Sequence, residues 1–288
     1  MDESQLKAFV AINRYGSFTA AADSLYITQP AISKRIAALE SQLGTPLFDR
    51  IGRNARLTES GHQLLPLVEK MLLSFANLRQ SADNMKQQVS GGLSLGTSHH
   101  VGLHRLPPVL RQYTDQYPDV ELALHFVDSE DGVNGVESGE LEMAIITLPA
   151  MTPKSISATP VWDDPLAFVV GNMHELAKKN SIEVDELADH EAILPGVNTY
   201  TRALLEEKLA ITGHKLYVGL PTNFLETNKM MASIGLGWTI LPETMLDDSV
   251  RKIEIKNIHL RRKLGYVTHH DMTLSNATKA MIKLLDSI

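Results

Sequence analysis

The most regular hydrophobic pattern near the start of the chain lies between residues 28 and 44. Apolar residues recur there at steps of four, three and four, the spacing of one buried helix face. They are Ile32, Ile36, Leu39 and Leu43. Thr28 suits the N-cap, Pro30 is tolerated in a first helical turn, and Gly44 suits the end. The pattern therefore predicts an amphipathic helix over 28–43.

A shorter helix is predicted just before it, beginning after Ser17 and ending at a turn formed by Tyr26 and Ile27. Its buried side would consist of Phe18, Ala21, Ala22 and Leu25. An earlier helix from about Ser4 would complete a small three-helix core. The alanines let two helix axes approach closely, as a helix-turn-helix requires. A generic helical hairpin has the same periodicity, so the pattern alone leaves that alternative open.

A long helix is predicted from about Thr58, because apolar residues then alternate at steps of four and three. This seam consists of Leu64, Val68, Met71, Phe75, Leu78, Ala82, Met85 and Val89. Pro66 is expected to kink the start of the helix. An apolar stripe of this length would remain in water unless it pairs. The seam therefore predicts a homodimer, and packing against the chain's own C-terminal part is the alternative.

Beyond Ser90-Gly91-Gly92 the pattern changes to strands that alternate with helices. Strands are predicted at 93–97, 121–126, 143–148, 166–171, 192–194, 217–220 and 239–241, and helices at 106–117, 201–211 and 225–234. This alternation is typical of α/β units with parallel strands.

Composition narrows the class of protein. The 288 residues include no cysteine, which excludes a disulfide framework and thiolate chemistry. The first residues lack the features of a secretory signal, and no apolar run is long enough to span a membrane. We therefore expect a soluble cytoplasmic protein.

The charge of the chain is unevenly distributed. The net charge is −7, yet residues 34–56 hold five Lys and Arg against two Asp and Glu, a net of +3. Positive charge is therefore concentrated around the predicted helix 28–43 and the residues after it, where it could meet nucleic-acid phosphates.

Linked motifs in the first 61 residues resemble the DNA-binding domain of LysR-type transcriptional regulators. They are Ala21-Ala22-Asp23-Ser24-Leu25, Thr28-Gln29-Pro30-Ala31-Ile32-Ser33, Leu47-Phe48-Asp49-Arg50 and Leu57-Thr58-Glu59-Ser60-Gly61. The resemblance continues through Gly139–Ile146 and Gly235–Pro242. It implies an α+β multidomain chain. An N-terminal winged helix-turn-helix is followed by a long coiled-coil linker helix and a C-terminal, two-lobed α/β effector domain similar to periplasmic binding proteins.

We place the DNA-binding domain at 1–58, the linker and dimerisation helix at 59–90, and the effector-binding domain at 91–288. Lobe 1 would comprise 91–161 and 268–288, and lobe 2 would comprise 162–267. The two strands that cross between the lobes are expected near Ile146–Pro149 and Tyr266–His269, which would return the C-terminal helix to lobe 1.

DNA recognition is assigned to the exposed side of helix 28–43 and to an arginine-rich wing at 50–56. The predicted DNA-binding residues are Thr28, Gln29, Pro30, Ser33, Lys34, Arg35, Arg50, Arg53 and Arg56. Gln29, Ser33 and Lys34 would meet base edges, and the arginines would lie on or near phosphates. A solvated basic loop is the alternative for the wing.

A small anionic or polar effector is expected where strand ends meet helix N-termini, because free N–H groups gather there. The candidate effector-binding residues are Ser98, His99, His100, Thr147, Asn198, Thr199, Thr201, Arg202 and Phe224. The resemblance implies hydroxyls facing the ligand near residues 98 and 100, and His100 departs from that pattern. Arg202 could clamp a carboxylate, and a solvated charge is its alternative. No cofactor is predicted.

The predicted function is a transcriptional regulator, dimeric or tetrameric, that binds double-stranded DNA and a small effector, with RNA polymerase as a further partner. A solute-binding protein would not need the N-terminal domain. An enzyme is disfavoured, because no nucleophile motif, phosphate loop or pair of catalytic carboxylates is present. His99, His100 and His104 lie close in sequence, but no second pair with ligand spacing stands beside them. We therefore predict no metal site.

Overall fold

The computed structural model describes residues 1–51, 54–86, 88–179, 181–210 and 217–288, with the backbone alone at 50, 51, 54 and 210. The chain divides into two compact units, Met1–Lys86 with Asp271–Thr273 and Gln87–His270 with Leu274–Ile288. The long helix predicted as a linker lies in the first unit. The predicted domain and lobe boundaries stay a prediction.

The first unit contains three short helices, a β-hairpin and a long helix. Its elements are α1 (Glu3–Tyr15), α2 (Phe18–Ser24), α3 (Gln29–Leu43), β1 (Phe48–Ile51), β2 (Asn54–Leu57) and α4 (Glu59–Asn84). The side chain of Thr28 accepts a hydrogen bond from the backbone N–H of Ala31, and Gly44 ends α3 in the left-handed region with φ +71°. The predicted start and end of this helix are confirmed. α1 begins just before the predicted Ser4, because Asp2 forms a capping box with Gln5.

The predicted apolar stripe of α3 packs into the core of the first unit. Ile32, Ile36 and Leu39 are fully buried together with residues of α1 and α2. Leu43 is more than a third exposed at the helix end, so the stripe effectively ends at Leu39.

The seam predicted along α4 divides into two parts. Val68 is buried against the three-helix core, which Leu64 also contacts. Farther along, apolar side chains are exposed at Met71, Phe75, Leu78, Ala82 and Met85. α4 runs through Pro66 and ends at Asn84. Val89 therefore lies beyond the helix and packs against a core of the second unit, so the predicted seam is wrong at its last position.

The second unit is built around a mixed β-sheet with helices on its faces. Its strands are β3 (Gly91–Thr97), β4 (Val120–Phe126), β5 (Met143–Thr147), β6 (Ile156–Gly171), β7 (Ser181–Ile182), β8 (Ala192–Leu194), β9 (Val218–Pro221), β10 (Trp238–Pro242), β11 (Val250–Ile255) and β12 (Leu260–His269). Its helices are α5 (His99–His104), α6 (Pro107–Gln116), α7 (Ser129–Glu137), α8 (Val184–Ala188), α9 (Tyr200–Ala210), α10 (Leu225–Ser233) and α11 (Asn276–Leu285), with 3₁₀ turns at Glu175–Lys178 and Glu243–Met245.

The strand order is β4-β3-β5-β12-β6-β10-β8-β9, with β11 beside β6 and β7. β3 pairs in parallel with β4 and β5, and β8 pairs in parallel with β9 and β10. These two parallel groups are the two lobes, and β12 and β6 lie between them as antiparallel strands. The predicted parallel α/β units are therefore present within each lobe.

The long strands β6 and β12 pass from one lobe to the other. The beginning of β6 pairs with the end of β12, and its second half pairs with β10 and β11. The crossover predicted near Ile146–Pro149 is therefore wrong, because β5 ends at Thr147 and the chain reaches the other lobe only along β6. The return strand begins at Leu260, earlier than the predicted Tyr266–His269. Its register shifts between Leu264 and Gly265, where a Cβ on Gly265 would lie 2.1 Å from the carbonyl oxygen of Thr159.

Each lobe has its own hydrophobic core. In lobe 1, Leu93 and Leu95 of β3 pack with Met281 of α11, so the end of the chain returns to this lobe. In lobe 2, Trp238 is buried beside Phe168, and its indole N–H donates to the carbonyl of His190 at 3.1 Å. Within the described ranges, every helix is too short or too polar to cross a membrane.

Candidate DNA interface and effector cleft

The side of α3 that faces away from the core is small, polar and basic. Gln29, Pro30 and Lys34 are exposed, and Ser33 and Arg35 are half-buried. Gln29 Nε2 donates to Ser33 Oγ at 3.1 Å, which links two of the predicted base-reading side chains in the first turn. The start of a recognition helix is the part that contacts base edges in a helix-turn-helix. The exposed face of α3 suits that role.

The wing is the hairpin of β1 and β2, in which Asp49 lies opposite Arg56. Arg56 is exposed. Arg53 and the side chain of Arg50 lie outside the described residues. Glu40 of α3 accepts hydrogen bonds from the backbone N–H groups of Leu47, at 2.7 Å, and Phe48. The wing is therefore tied directly to the recognition helix.

Tyr26, in the turn between α2 and α3, is not among the predicted DNA contacts. It has φ +54°, and its side chain is 97% exposed. Few residues other than glycine adopt this left-handed conformation. In the sequence, Tyr26 is an aromatic residue in a turn without glycine, and this pattern does not show whether its ring is buried or exposed.

A cavity of about 60 Å³ lies between the lobes of the second unit. Of the predicted effector-binding residues, Ser98, His99, His100, Thr147, Thr199, Thr201 and Phe224 line it. Residues that the sequence did not single out also line it, among them Asp128, Glu130, Tyr200, Asn223 and Arg262. The cavity has room for only a few water molecules in this structure.

Asn198 and Arg202 are not brought to the lining of this cavity. Asn198 is exposed. Arg202 is buried, and its Nε lies 2.6 Å from Glu206 Oε1 on the next turn of α9. The guanidinium is therefore neither a clamp for a carboxylate in the cavity nor a solvated charge. Arg262 of the crossover strand β12 supplies the cation at the cavity instead.

Arg262 is buried in a network centred on Asp164 of β6. Its Nε donates to Asp164 Oδ2 at 2.7 Å, and its Nη1 donates to Thr201 Oγ1 at 2.6 Å. Arg105 Nη2 lies 3.4 Å from Asp164 Oδ1. Burial alone would raise the pKa of Asp164, but Arg262 and the imidazole of His100, whose Nε2 lies 3.9 Å from Asp164 Oδ1, outweigh it and lower that pKa to about 2. Asp164 is therefore ionised and balances the buried guanidinium.

Several polar atoms beside the cavity have no hydrogen-bond partner in the described part of the chain. They include Ser98 Oγ, Arg262 Nη2 and both ring nitrogens of His100, all of them buried. Burial lowers the pKa of His100, so its imidazole is neutral at neutral pH. Buried polar groups are normally paired. These atoms therefore mark a place where a ligand would supply partners.

Contacts between the lobes close the cavity on its other side. Asn223 Nδ2 donates to Asp128 Oδ2 at 2.6 Å, and the carboxylate of Glu130 accepts a hydrogen bond from the backbone N–H of Tyr200. Tyr200 is the first residue of α9, so a carboxylate of the chain itself lies at a helix N-terminus where an effector anion was predicted. Burial raises the pKa of Glu130.

Two family models together match most of the chain. The model described as "Bacterial regulatory helix-turn-helix protein, lysR family" matches residues 4–62, and the one described as "LysR substrate binding domain" matches residues 86–287. A probable RuBisCO transcriptional regulator of Synechocystis sp. is 31% identical over 97% of this chain and 84% of its own length.

Solved structures show the same fold. A full-length OxyR variant from Pseudomonas aeruginosa has a TM-score of 0.70 at 22% identity, covering 99% of this chain and 94% of that one. The effector-binding domain of QuiR in complex with shikimate has a TM-score of 0.62 at 20% identity, covering 68% of this chain and 95% of that one. The predicted fold class is confirmed.

Proposed function

The chain belongs to the LysR family of transcriptional regulators, and we propose that it acts as a cytoplasmic homodimer. Its affinity for DNA would change when a small polar acid binds between its lobes. Family members are DNA-binding regulators with an effector domain and not enzymes, which confirms the predicted class of function. One observation carries the effector class: Nη2 of Arg262 is buried beside the inter-lobe cavity and has no hydrogen-bond partner among the described residues.

The charged side chains around the cavity indicate which functional groups the effector has. Arg262 suits a carboxylate through Nη2, because its Nε and Nη1 already donate to Asp164 and Thr201, and a charged N–H forms a strong hydrogen bond with a carboxylate oxygen. Asp128 and Glu130 lie on the same cavity and would accept hydrogen bonds from hydroxyl or amino groups. A small hydroxy acid or amino acid presents both kinds of group. The shikimate complex of the QuiR domain, which shares this fold, supports a ligand of this kind.

Ser98→Ala tests the effector site without disturbing the fold. Ser98 Oγ has no hydrogen-bond partner among the described residues, so the variant should melt at the wild-type temperature when no ligand is present. Its affinity for an acid found in a thermal-shift screen should fall about threefold to tenfold, the value of one lost hydrogen bond. Ser94→Ala is the matched control, since Ser94 lies on β3, the strand that leads to Ser98, and its Oγ donates to the carbonyl of Glu140. Equal losses in both variants would contradict the assignment.

Lys34→Ala and Arg56→Ala should weaken DNA binding in different ways. Lys34 is exposed on the predicted base-reading face, so its loss should cost about 1–3 kcal/mol on the operator and little on random DNA. Arg56 is exposed on the wing, so its loss should weaken both and reduce the slope of log affinity against log salt by about one. Binding isotherms at several salt concentrations measure both effects. The same loss on both DNAs for Lys34→Ala would contradict base reading.

The homodimer would form through the exposed apolar stripe of α4. That stripe would place two recognition helices for a two-fold operator, and a further pairing of dimers would give a tetramer. Contact with RNA polymerase belongs to the same proposal, for a dimer bound beside a promoter.

A further inference from the structure

A cluster of imidazoles and one carboxylate lies where α5 of lobe 1 approaches α10 of lobe 2. His100 and His104 are one helical turn apart on α5, with ring centroids 4.9 Å apart. Glu226 comes from α10, and its Oε1 lies 3.0 Å from His104 Nε2. One ligand atom from each of these three residues lies within 4.8 Å of the others. His99 Nδ1 lies 3.7 Å from Glu226 Oε2.

The hydrogen bonding of this cluster is incomplete. Both nitrogens of His100, Nδ1 of His99 and Oε2 of Glu226 are buried without a hydrogen-bond partner among the described residues. Leaving such atoms unpaired is costly, because each has lost its water. A bound cation would use lone pairs of His100 and of the Glu226 carboxylate. The arrangement thus already has the chemistry of a ligand set.

We propose that His100, His104 and Glu226 bind a divalent transition-metal ion, with Zn²⁺ as the representative ion. Two imidazoles and one carboxylate are a familiar zinc ligand set, in which water or another donor completes the coordination. Imidazole nitrogen favours Zn²⁺, Ni²⁺ or Cu²⁺ over Mg²⁺ and Ca²⁺, which prefer oxygen. The nearby guanidinium of Arg262 does not oppose the ion strongly, because Asp164 neutralises it.

The ion would act on the relation between the lobes. Two of its ligands lie on α5 and the third on α10, so it binds the closed cleft more tightly than an open one. By linkage, the ion then stabilises closure. The regulatory part of this inference rests on the proposed function, in which cleft closure controls DNA binding. The binding part depends on the three side chains alone.

Zn²⁺ binding to the full-length, tag-free protein tests the site directly. Competition with a chromogenic chelator should show one ion per chain, and Glu226→Gln should weaken its affinity at least about tenfold. Glutamine keeps an oxygen that accepts from His104, so the contact between the lobes survives while the charged ligand is lost. His104→Ala should weaken binding similarly. His125→Ala, a change at an exposed histidine on β4, should leave it unchanged. The visible absorption of the Co²⁺-loaded protein should change in Glu226→Gln and not in His125→Ala.

The possible results separate this site from the proposed function. The absence of stoichiometric Zn²⁺ binding, or equal affinity in all variants, would overturn the metal site whatever the acid screen shows. Binding that follows the expected pattern supports the site even if no acid is found. The regulatory role is supported if Zn²⁺ changes operator affinity in wild type and not in Glu226→Gln. It is overturned if both proteins bind the operator identically with and without the ion.

Discussion

Asp164→Asn is expected to destabilise the second unit by about 3–5 kcal/mol, the usual cost of removing one partner of a buried ion pair. Asp164 is fully buried, and it accepts a hydrogen bond from Arg262 at 2.7 Å. Asparagine keeps the shape of the side chain but removes the charge that balances the guanidinium. Since arginine does not lose its proton in proteins, the variant must bury an uncompensated cation.

Denaturant unfolding followed by tryptophan fluorescence measures this effect. Trp162 and Trp238, the two tryptophans of the chain, both lie in the second unit, so the signal reports that unit. Asp163→Asn is the matched control. Asp163 is the preceding residue on the same strand, but it is about half exposed and pairs with Lys263 at 2.5 Å. An exposed pair of this kind contributes little to stability, because water and salt screen it. Similar losses in the two variants would contradict the account of Asp164.

The pH dependence and a double variant test the same explanation further. The pKa of Asp164 is about 2 in the folded chain against an ordinary 3.8, so its ionised form stabilises the fold above that ordinary value. This contribution, about 2 kcal/mol, is lost as pH falls through 2. The loss caused by Asp164→Asn should therefore be constant from pH 5 to 8. Replacing the pair by Asp164→Leu with Arg262→Met should recover part of the stability, because the buried guanidinium is removed together with its carboxylate and only the partly exposed Arg105 loses a contact.

The DNA-binding unit could be predicted from the sequence because its signals are local. Thr28 and Gly44 act on backbone groups within one helical turn, and the stripe from Ile32 to Leu39 is set by helix periodicity. The end of the long helix was harder to place. Val89 continues the apolar spacing of α4, but it belongs to the core of the next unit. Periodicity does not show which core an apolar residue joins.

The cleft could be predicted only in part, because its chemistry comes from residues far apart in sequence. Ser98 and Thr147 were found at strand ends, where a parallel sheet places them together. Arg262 lies in a short basic run that resembles an exposed strand, and its partner Asp164 is 98 residues away. Arg202 was singled out because it lies at a helix start, but its guanidinium forms an ion pair with Glu206. Glu226 lies 122 residues from His104, so the histidines looked isolated.

Leu78→Glu is expected to weaken the homodimer by about a hundredfold or more and to reduce operator affinity with it. Leu78 is 70% exposed in the single chain and lies among Met71, Phe75 and Ala82 on one side of α4. Two-fold pairing through this stripe would place both new carboxylates in the apolar seam, where each would lose its water without gaining a partner. A dimer joins two DNA-binding domains, so dissociation also removes the roughly 10²–10⁴-fold gain in affinity that comes from binding two half-sites at once.

Ala76→Glu separates loss of the dimer from a general effect of charge. Ala76 is also exposed on α4, but two residues of helix place it on a different side from Leu78. Ala76→Glu adds the same negative charge to the same helix but outside the apolar stripe, so it should leave the dimer intact. Analytical ultracentrifugation over a range of concentrations measures the dimer constant, and operator titration measures its consequence. Fluorescence unfolding of the second unit should be unchanged in both variants. If Leu78→Glu remains as dimeric as Ala76→Glu, the stripe of α4 is not the dimer interface, and the two recognition helices must be joined through another surface.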